Sequence, residues 1–228
     1  MAPDFPMHLQ SLRRIKKEEE LMKRHISLVI ALVVIFCQQG RAQAGDVNRW
    51  HLAAGLTFPA SPDQFYDYWK QGFQISGGAE FSSQTRFIQF ITAEADYFAF
   101  DQDRFLARIG LEHTNTPVSG AGTYVFGLAY LIRYPFVEYA SFRPTFFAGV
   151  GCADVYRSSA TVDYPNDLVN QDGYNGFNAT IPIGASIEVF ESGDKAVEVN
   201  FTYTFGIPKS DRVNSNFSCL KIDYSFAP

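Results

Sequence analysis

The sequence predicts an all-β fold: an eight-stranded antiparallel transmembrane β-barrel preceded by a cleaved N-terminal signal peptide. Three observations predict it. Residues 26–37 (ISLVIALVVIFC) are apolar throughout, follow Lys23-Arg24-His25 and precede Ala42-Gln43-Ala44, which together form the basic, apolar and small-residue parts of a secretory signal. Further on, apolar side chains recur at every second position, and a side-chain period of two belongs to a strand and not to a helix. These alternating segments match the roughly 9–11 tilted residues that carry a strand across a bilayer, against about 5–6 in soluble domains.

Residues 1–44 are the expected signal peptide. Its apolar run is too short for a spanning helix, which takes about 20 residues. The charged stretch before Met22 (Arg13, Arg14, Lys16, Lys17, Glu18, Glu19, Glu20) is foreign to such signals. Translation is therefore expected to start at Met22, which sequencing the precursor's N-terminus would decide. Phe36 stands where a lipoprotein signal carries a small residue, which argues against lipid on Cys37. Residues 45–228, the expected barrel, carry 12 Lys/Arg and 20 Asp/Glu, a net charge of −8. So acidic a chain has no electrostatic footprint for nucleic acid.

The first strand, Trp50 to Phe58, sets Trp50, Leu52, Ala54, Leu56 and Phe58 against His51, Ala53, Gly55 and Thr57. Ser61-Pro62-Asp63 then reads as an N-cap, an N1 proline and a first-turn acid. With Phe65 and Trp69 at i, i+4 and Gly72 as a stop, a short helix is expected there, its aromatic side toward the barrel rim. The second strand is Phe73 to Phe81 and the third Arg86 to Phe98, the latter with Ile91, Ala93, Ala95 and Tyr97 opposed to Thr92, Glu94 and Asp96.

Phe105, Ala107, Ile109 and Leu111 also alternate, so Arg104 to Glu112 is a further candidate strand. Counting it gives nine, whereas bacterial single-chain barrels hold an even number, with short periplasmic turns and long external loops in alternation. The spacing works if 99–122 is one external loop with 104–112 forming structure beyond the bilayer; a missed tenth strand is the alternative. The fourth strand is Thr123 to Tyr134 and the fifth Arg143 to Val155, which turns Phe147 inward. Residues 156–175 form a polar loop. The sixth and seventh strands pair through Glu191-Ser192-Gly193-Asp194: Phe177, Ala179, Ile181, Ile183, Ala185, Ile187 and Val189 on one, Val197, Val199, Phe201, Tyr203 and Phe205 on the other. Phe217 to Phe226 is the eighth. Cys152 and Cys219 fall on non-adjacent strands and opposite faces, which predicts free thiols.

Alternation alone also fits a soluble lipocalin-like barrel with an apolar interior. Two features favour lipid on the apolar side. That side gathers aromatics near strand ends, Trp50, Phe58, Tyr124, Tyr134, Phe177, Tyr203 and Tyr224 among them, with Phe73, Phe81 and Phe205, as interfacial girdles do. The other side is mostly Gly, Ser, Thr, Ala and Asn, the small polar filling of a narrow lumen. Its charges then form an interior polar network: Glu80, Glu94, Asp96, Glu188, Glu198 and Asp223 with Arg133 and Lys221 as the cations. Its expected role is structural.

With its Ala42-Gln43-Ala44 signal, its LTFPASPDQFYDYWKQGFQISGGAEF opening (Leu56 to Phe81) and an alternating aromatic C-terminal strand, the chain resembles the small outer-membrane barrels of the OmpA/OmpX-like group. The resemblance spans about 45–228. It implies export to the outer membrane of a Gram-negative-type envelope, contact with its lipids, and handling by the barrel-assembly machinery. Members usually end on an aromatic residue, whereas here Ala227-Pro228 follow Phe226.

Chemistry is sparse. Of two histidines after residue 44, His51 faces inward among carboxylates and His113 lies in the external loop, where Thr114, Thr116 or Ser119 would be the nucleophile of a hydrolase. No Cys/His spacing suits a metal, and Asp154, Asp163, Asp167 and Asp172 lack a calcium-loop pattern. No catalytic residue, metal or cofactor is therefore expected. The expectation is a non-enzymatic barrel with a structural or surface-interaction role through its external loops and an unspecified ligand. The alternatives are a lipid-modifying or hydrolytic barrel enzyme using His113, or a narrow channel.

Overall fold

The alternating segments form eight long strands that close on themselves: β1 (Val47–Pro59), β2 (Trp69–Phe81), β3 (Ile88–Phe100), β5 (Gly122–Pro135), β6 (Arg143–Arg157), β9 (Tyr174–Ser192), β10 (Lys195–Pro208) and β11 (Phe217–Phe226). The computed structural model describes residues 47–60, 68–81, 87–111, 118–120, 122–136, 143–164, 167–171, 173–208 and 216–228. The expected signal peptide, Met22, Arg86, Ser61 to Phe65 and His113 lie outside them. Strand order around the barrel is β1-β11-β10-β9-β6-β5-β3-β2, every neighbour antiparallel, so β1 pairs with both β11 and β2 and no edge stays open.

Register decides which face each residue takes, because a one-residue slip would turn every side chain over. On β9, Asn178, Thr180 and Ser186 are buried in the lumen while Ile181, Ile183 and Ile187 stand outside, Ile183 41 % exposed. Across the hairpin, Asn200, Thr202 and Thr204 point in, and Phe201 and Phe205 point out. Ser192 pairs with Lys195, and Gly193 adopts φ +58°, the left-handed backbone that a two-residue hairpin requires. Leu52, Leu56, Phe73, Ile75, Ile132, Val150, Leu220 and Ile222 complete an apolar outer surface, Ile222 being 62 % exposed. A soluble barrel would reverse this arrangement.

Phe147 does turn inward. It pairs with Gly184 on β9, where an added Cβ would lie 2.7 Å from the ring's Cε2, so the glycine makes room for the ring. Cys152 and Cys219 are both free thiols.

Among its described residues, Arg104 to Glu112 adds no ninth barrel strand: α1 (Gln102–Arg108) lies there, in the external connection expected to hold structure beyond the bilayer, its N-cap Asp101 accepting the Arg104 backbone N–H. Phe105, Leu106 and Ile109 lie on one helical face, and the alternation seen in sequence is incidental to it. Three expectations are corrected. The helix expected from Ser61 does not reach Trp69: Tyr68 is helical, 61–67 lie outside the described residues, and Trp69 and Gly72 belong to β2; Trp69 is buried inside the barrel, and at Gly72 any Cβ would collide with the Tyr97 carbonyl of β3. The polar loop 156–175 contains β7 (Ala160–Tyr164) and β8 (Asp167–Gln171), which join β4 (Val118–Gly120) in a separate three-stranded sheet, order β4-β7-β8. Phe81, although on the outward parity, is buried and not part of a girdle.

The short connections (β2–β3, β5–β6, β9–β10) and both ends of the barrel chain gather at one rim. The long ones, carrying α1 and the small sheet, gather at the other. By the rule for such barrels the first is periplasmic and the second external.

Candidate functional site

The lumen is built in layers set by strand parity. At the external end Trp69, Phe98, Val125, Ala153, Val155 and Phe217 pack into one apolar cluster, with Phe98 and Phe217 edge to face at 5.7 Å. Arg157 lies over the Trp69 ring at 5.3 Å. Above this plug, Phe105 and Leu106 of α1 and Val162 of β7 form a second cluster with Tyr68, Phe100, Ile109, Leu111 and Val118. The external loops thus carry a small core of their own.

Below the plug lies a polar layer. Gln74 Nε2 donates to Glu94 Oε2 at 3.1 Å, the Cys219 thiol donates to Gln74 Oε1 at 3.0 Å, and Lys221 Nζ donates to Ser76 Oγ at 3.4 Å. Asp96, two residues from Glu94 on the same inward face, is 2 % exposed, and neither of its carboxylate oxygens has a hydrogen-bond partner among the described residues.

Toward the periplasm, Phe90, Ala129, Leu131 and Phe147 form another apolar cluster. Around it runs the densest ionic group. His51 Nδ1 donates to Asp223 Oδ1 at 3.1 Å, its Nε2 lies 3.5 Å from Glu80 Oε2, and Asn200 Nδ2 donates to Asp223 Oδ2 at 3.3 Å. Arg133 reaches across the lumen from β5 to Glu198 on β10, donates to Ser186 Oγ at 3.0 Å and sits over the Phe90 ring at 5.6 Å. His51 meets the same ring edge-on at 4.8 Å.

The sequence-named charges therefore separate. Glu80, Arg133, Glu198 and Asp223 share one neighbourhood with His51. Glu94, Asp96 and Lys221 occupy the layer beneath the external plug. Glu188 sits at the periplasmic mouth, 3.5 Å from Arg143. Residues that sequence reasoning passed over include Gln74, Ser186 and Asn200, which link these charges, and the inward Phe90, Phe98, Val125 and Leu131. The parity of Thr92, Glu94 and Asp96 could have placed Phe90 and Phe98, which share it. The links needed cross-strand register.

Outside, the aromatics make two rings. Near the periplasmic rim Trp50, Tyr134 and Tyr224 stand with Phe87, Phe136 and Phe146, the Phe87–Tyr134 rings being 5.5 Å apart. Near the external rim are Phe58, Tyr124, Phe177 and Tyr203, with Tyr97 5.1 Å from Tyr124. Among the described residues, no group of three or more His, Cys, Asp or Glu side chains could hold a metal ion.

No protein-family model and no curated protein matches the chain. Solved structures do. The chain is similar to a major outer membrane protein from Thermus thermophilus (10% identity, 79% of this chain and 99% of that one, TM-score 0.47). It is likewise similar to Neisserial surface protein A (10%, 78% and 97%, TM-score 0.44) and to the outer membrane enzyme PagL (15%, 79% and 99%, TM-score 0.42). The closed strand order, the outward apolar belt and the paired aromatic rings make this chain an eight-stranded membrane-spanning barrel of the outer-membrane type.

Proposed function

We propose that this barrel is a non-enzymatic, non-conducting outer-membrane protein that presents its external cap to partners at the cell surface. One observation carries the reading. The long loops fold into α1 and the sheet β4-β7-β8 around Phe105, Leu106 and Val162, a shaped surface held on a rigid closed scaffold. Loops placed on a rigid scaffold are where binding residues concentrate. Conduction is disfavoured by two apolar layers, Trp69–Phe98–Phe217 and Phe90–Leu131–Phe147, stacked in a lumen that eight strands leave just wide enough for side chains. Biogenesis through the barrel-assembly machinery belongs to the same reading.

The test pairs two measurements. Purified protein in planar bilayers is expected to show no stepwise conductance. Cells displaying the full chain are expected to attach to other cells or to immobilised cell-surface molecules, and replacing 101–121 with a short turn abolishes this. Stepwise conductance, or equal attachment with and without the cap, contradicts the reading. So does a changed outer-membrane lipid composition in His113→Ala, the result a lipid-modifying enzyme would give.

A further inference from the structure

The periplasmic rim carries an arrangement that the external cap does not explain. Glu191, at the end of β9 just before the hairpin, has each carboxylate oxygen on a different arginine. Arg49 Nη2 of β1 donates to its Oε1 at 3.2 Å, and Arg143 Nη1 of β6 donates to its Oε2 at 2.7 Å. In the strand order, β1 and β6 are separated by three strands on either side and so stand on opposite walls. Two guanidiniums from opposite walls thus converge on one carboxylate at the mouth. Behind them opens a cavity of about 480 Å³, lined by both arginines with Glu80, Arg133, Glu188 and Glu198. That volume falls in the range of about 300–1,000 Å³ typical of small-molecule sites.

We infer that this vestibule binds a small zwitterion, an amino acid or short peptide, whose carboxylate takes the place of the Glu191 side chain between Arg49 and Arg143. The exchange is chemically even, one carboxylate for another, and leaves the charge at the mouth unchanged. It is also inexpensive. Side-chain exposures of 26 % for Arg49, 32 % for Glu191 and 43 % for Arg143 mark solvent-exposed ion pairs, which contribute little to stability. Glu191 adjoins a two-residue turn, so its side chain can swing into the periplasm without moving a strand. Glu188, beside Arg143 at the mouth, and Glu80 farther in offer acceptors for an ammonium group and repel a second carboxylate. Zwitterions are therefore favoured over simple anions.

The experiment titrates isotope-labelled barrel in micelles with trialanine, acetate and inorganic phosphate, reading amide and arginine side-chain shifts. Saturable binding of trialanine is expected, tightened about two- to thirtyfold by Glu191→Ala, the ratio of two exposed ion pairs removed as competitors. Arg143→Gln abolishes it. Absence of saturable binding, no tightening in Glu191→Ala, or acetate or phosphate binding as tightly as trialanine overturns the inference. Should Arg143→Gln fail to give the heat-modifiable mobility of a folded barrel, Glu191→Ala, which keeps both arginines, decides alone.

Discussion

Arg133→Gln is expected to destabilise the barrel by about 3–5 kcal/mol, the usual consequence of removing one member of a buried ion pair. Arg133 is 5 % exposed, and its guanidinium is the cation that ties β5 to Glu198 of β10 across the lumen, with Ser186 and the Phe90 ring as further partners. Without it Glu198 remains a buried carboxylate with no cation in contact among the described residues. The carboxamide introduced by the substitution could replace one hydrogen bond but not the charge. Urea unfolding of barrel refolded into lipid vesicles, followed by tryptophan fluorescence, measures the loss. Arg133→Gln combined with Glu198→Gln should recover most of it, because the penalty lies in the orphaned charge more than in the missing attraction. A single variant within about 1 kcal/mol of the parent would show that the pair is solvated, as surface pairs are.

The second large effect is expected outside the barrel. Ile183 lies near the middle of β9, with its side chain on the lipid face. Ile183→Arg is expected to cost about 2–4 kcal/mol, the penalty for a cationic side chain at the bilayer midplane. The same substitution at Phe177, near the external end of the strand, should cost only about 0–1 kcal/mol, since the penalty falls off toward the interface. Equal costs at the two positions, read in the same unfolding assay, would mean that neither side chain meets hydrocarbon.

How much of this was legible beforehand depends on the range of the interactions involved. Parity is local, so the inward His51, Glu94, Asp96 and Asp223 and the outward Ile181, Ile183, Leu220 and Ile222 follow from counting by twos. The closed eight-strand order follows from loop lengths combined with the even-number rule. The cap does not. Phe105, Ala107, Ile109 and Leu111 satisfy a strand period while Phe105, Leu106 and Ile109 satisfy a helical one over the same short stretch, and Asp101 as N-cap settles the matter only once its side chain is seen on the Arg104 amide. Trp69 is a related case. Spaced four from Phe65, it fits a helix in sequence, yet its burial against Phe98 and Phe217 depends on partners 29 and 148 positions away. The lumen's division into apolar and ionic layers was equally hidden. It arises from which inward residues share a level across eight strands, as when Arg133 meets Glu198 or Cys219 meets Gln74.

The claim beneath all of these is that the apolar half of each strand faces acyl chains. Methyl-labelled protein in nanodiscs doped with a lipid bearing a nitroxide on its acyl chain tests it without any substitution. The methyl resonances of Ile183, Val199, Leu220 and Ile222 are predicted to broaden strongly, while those of Val125, Leu131 and Val155 in the lumen stay sharp. Broadening of the lumen set with the outer set unaffected would contradict the account.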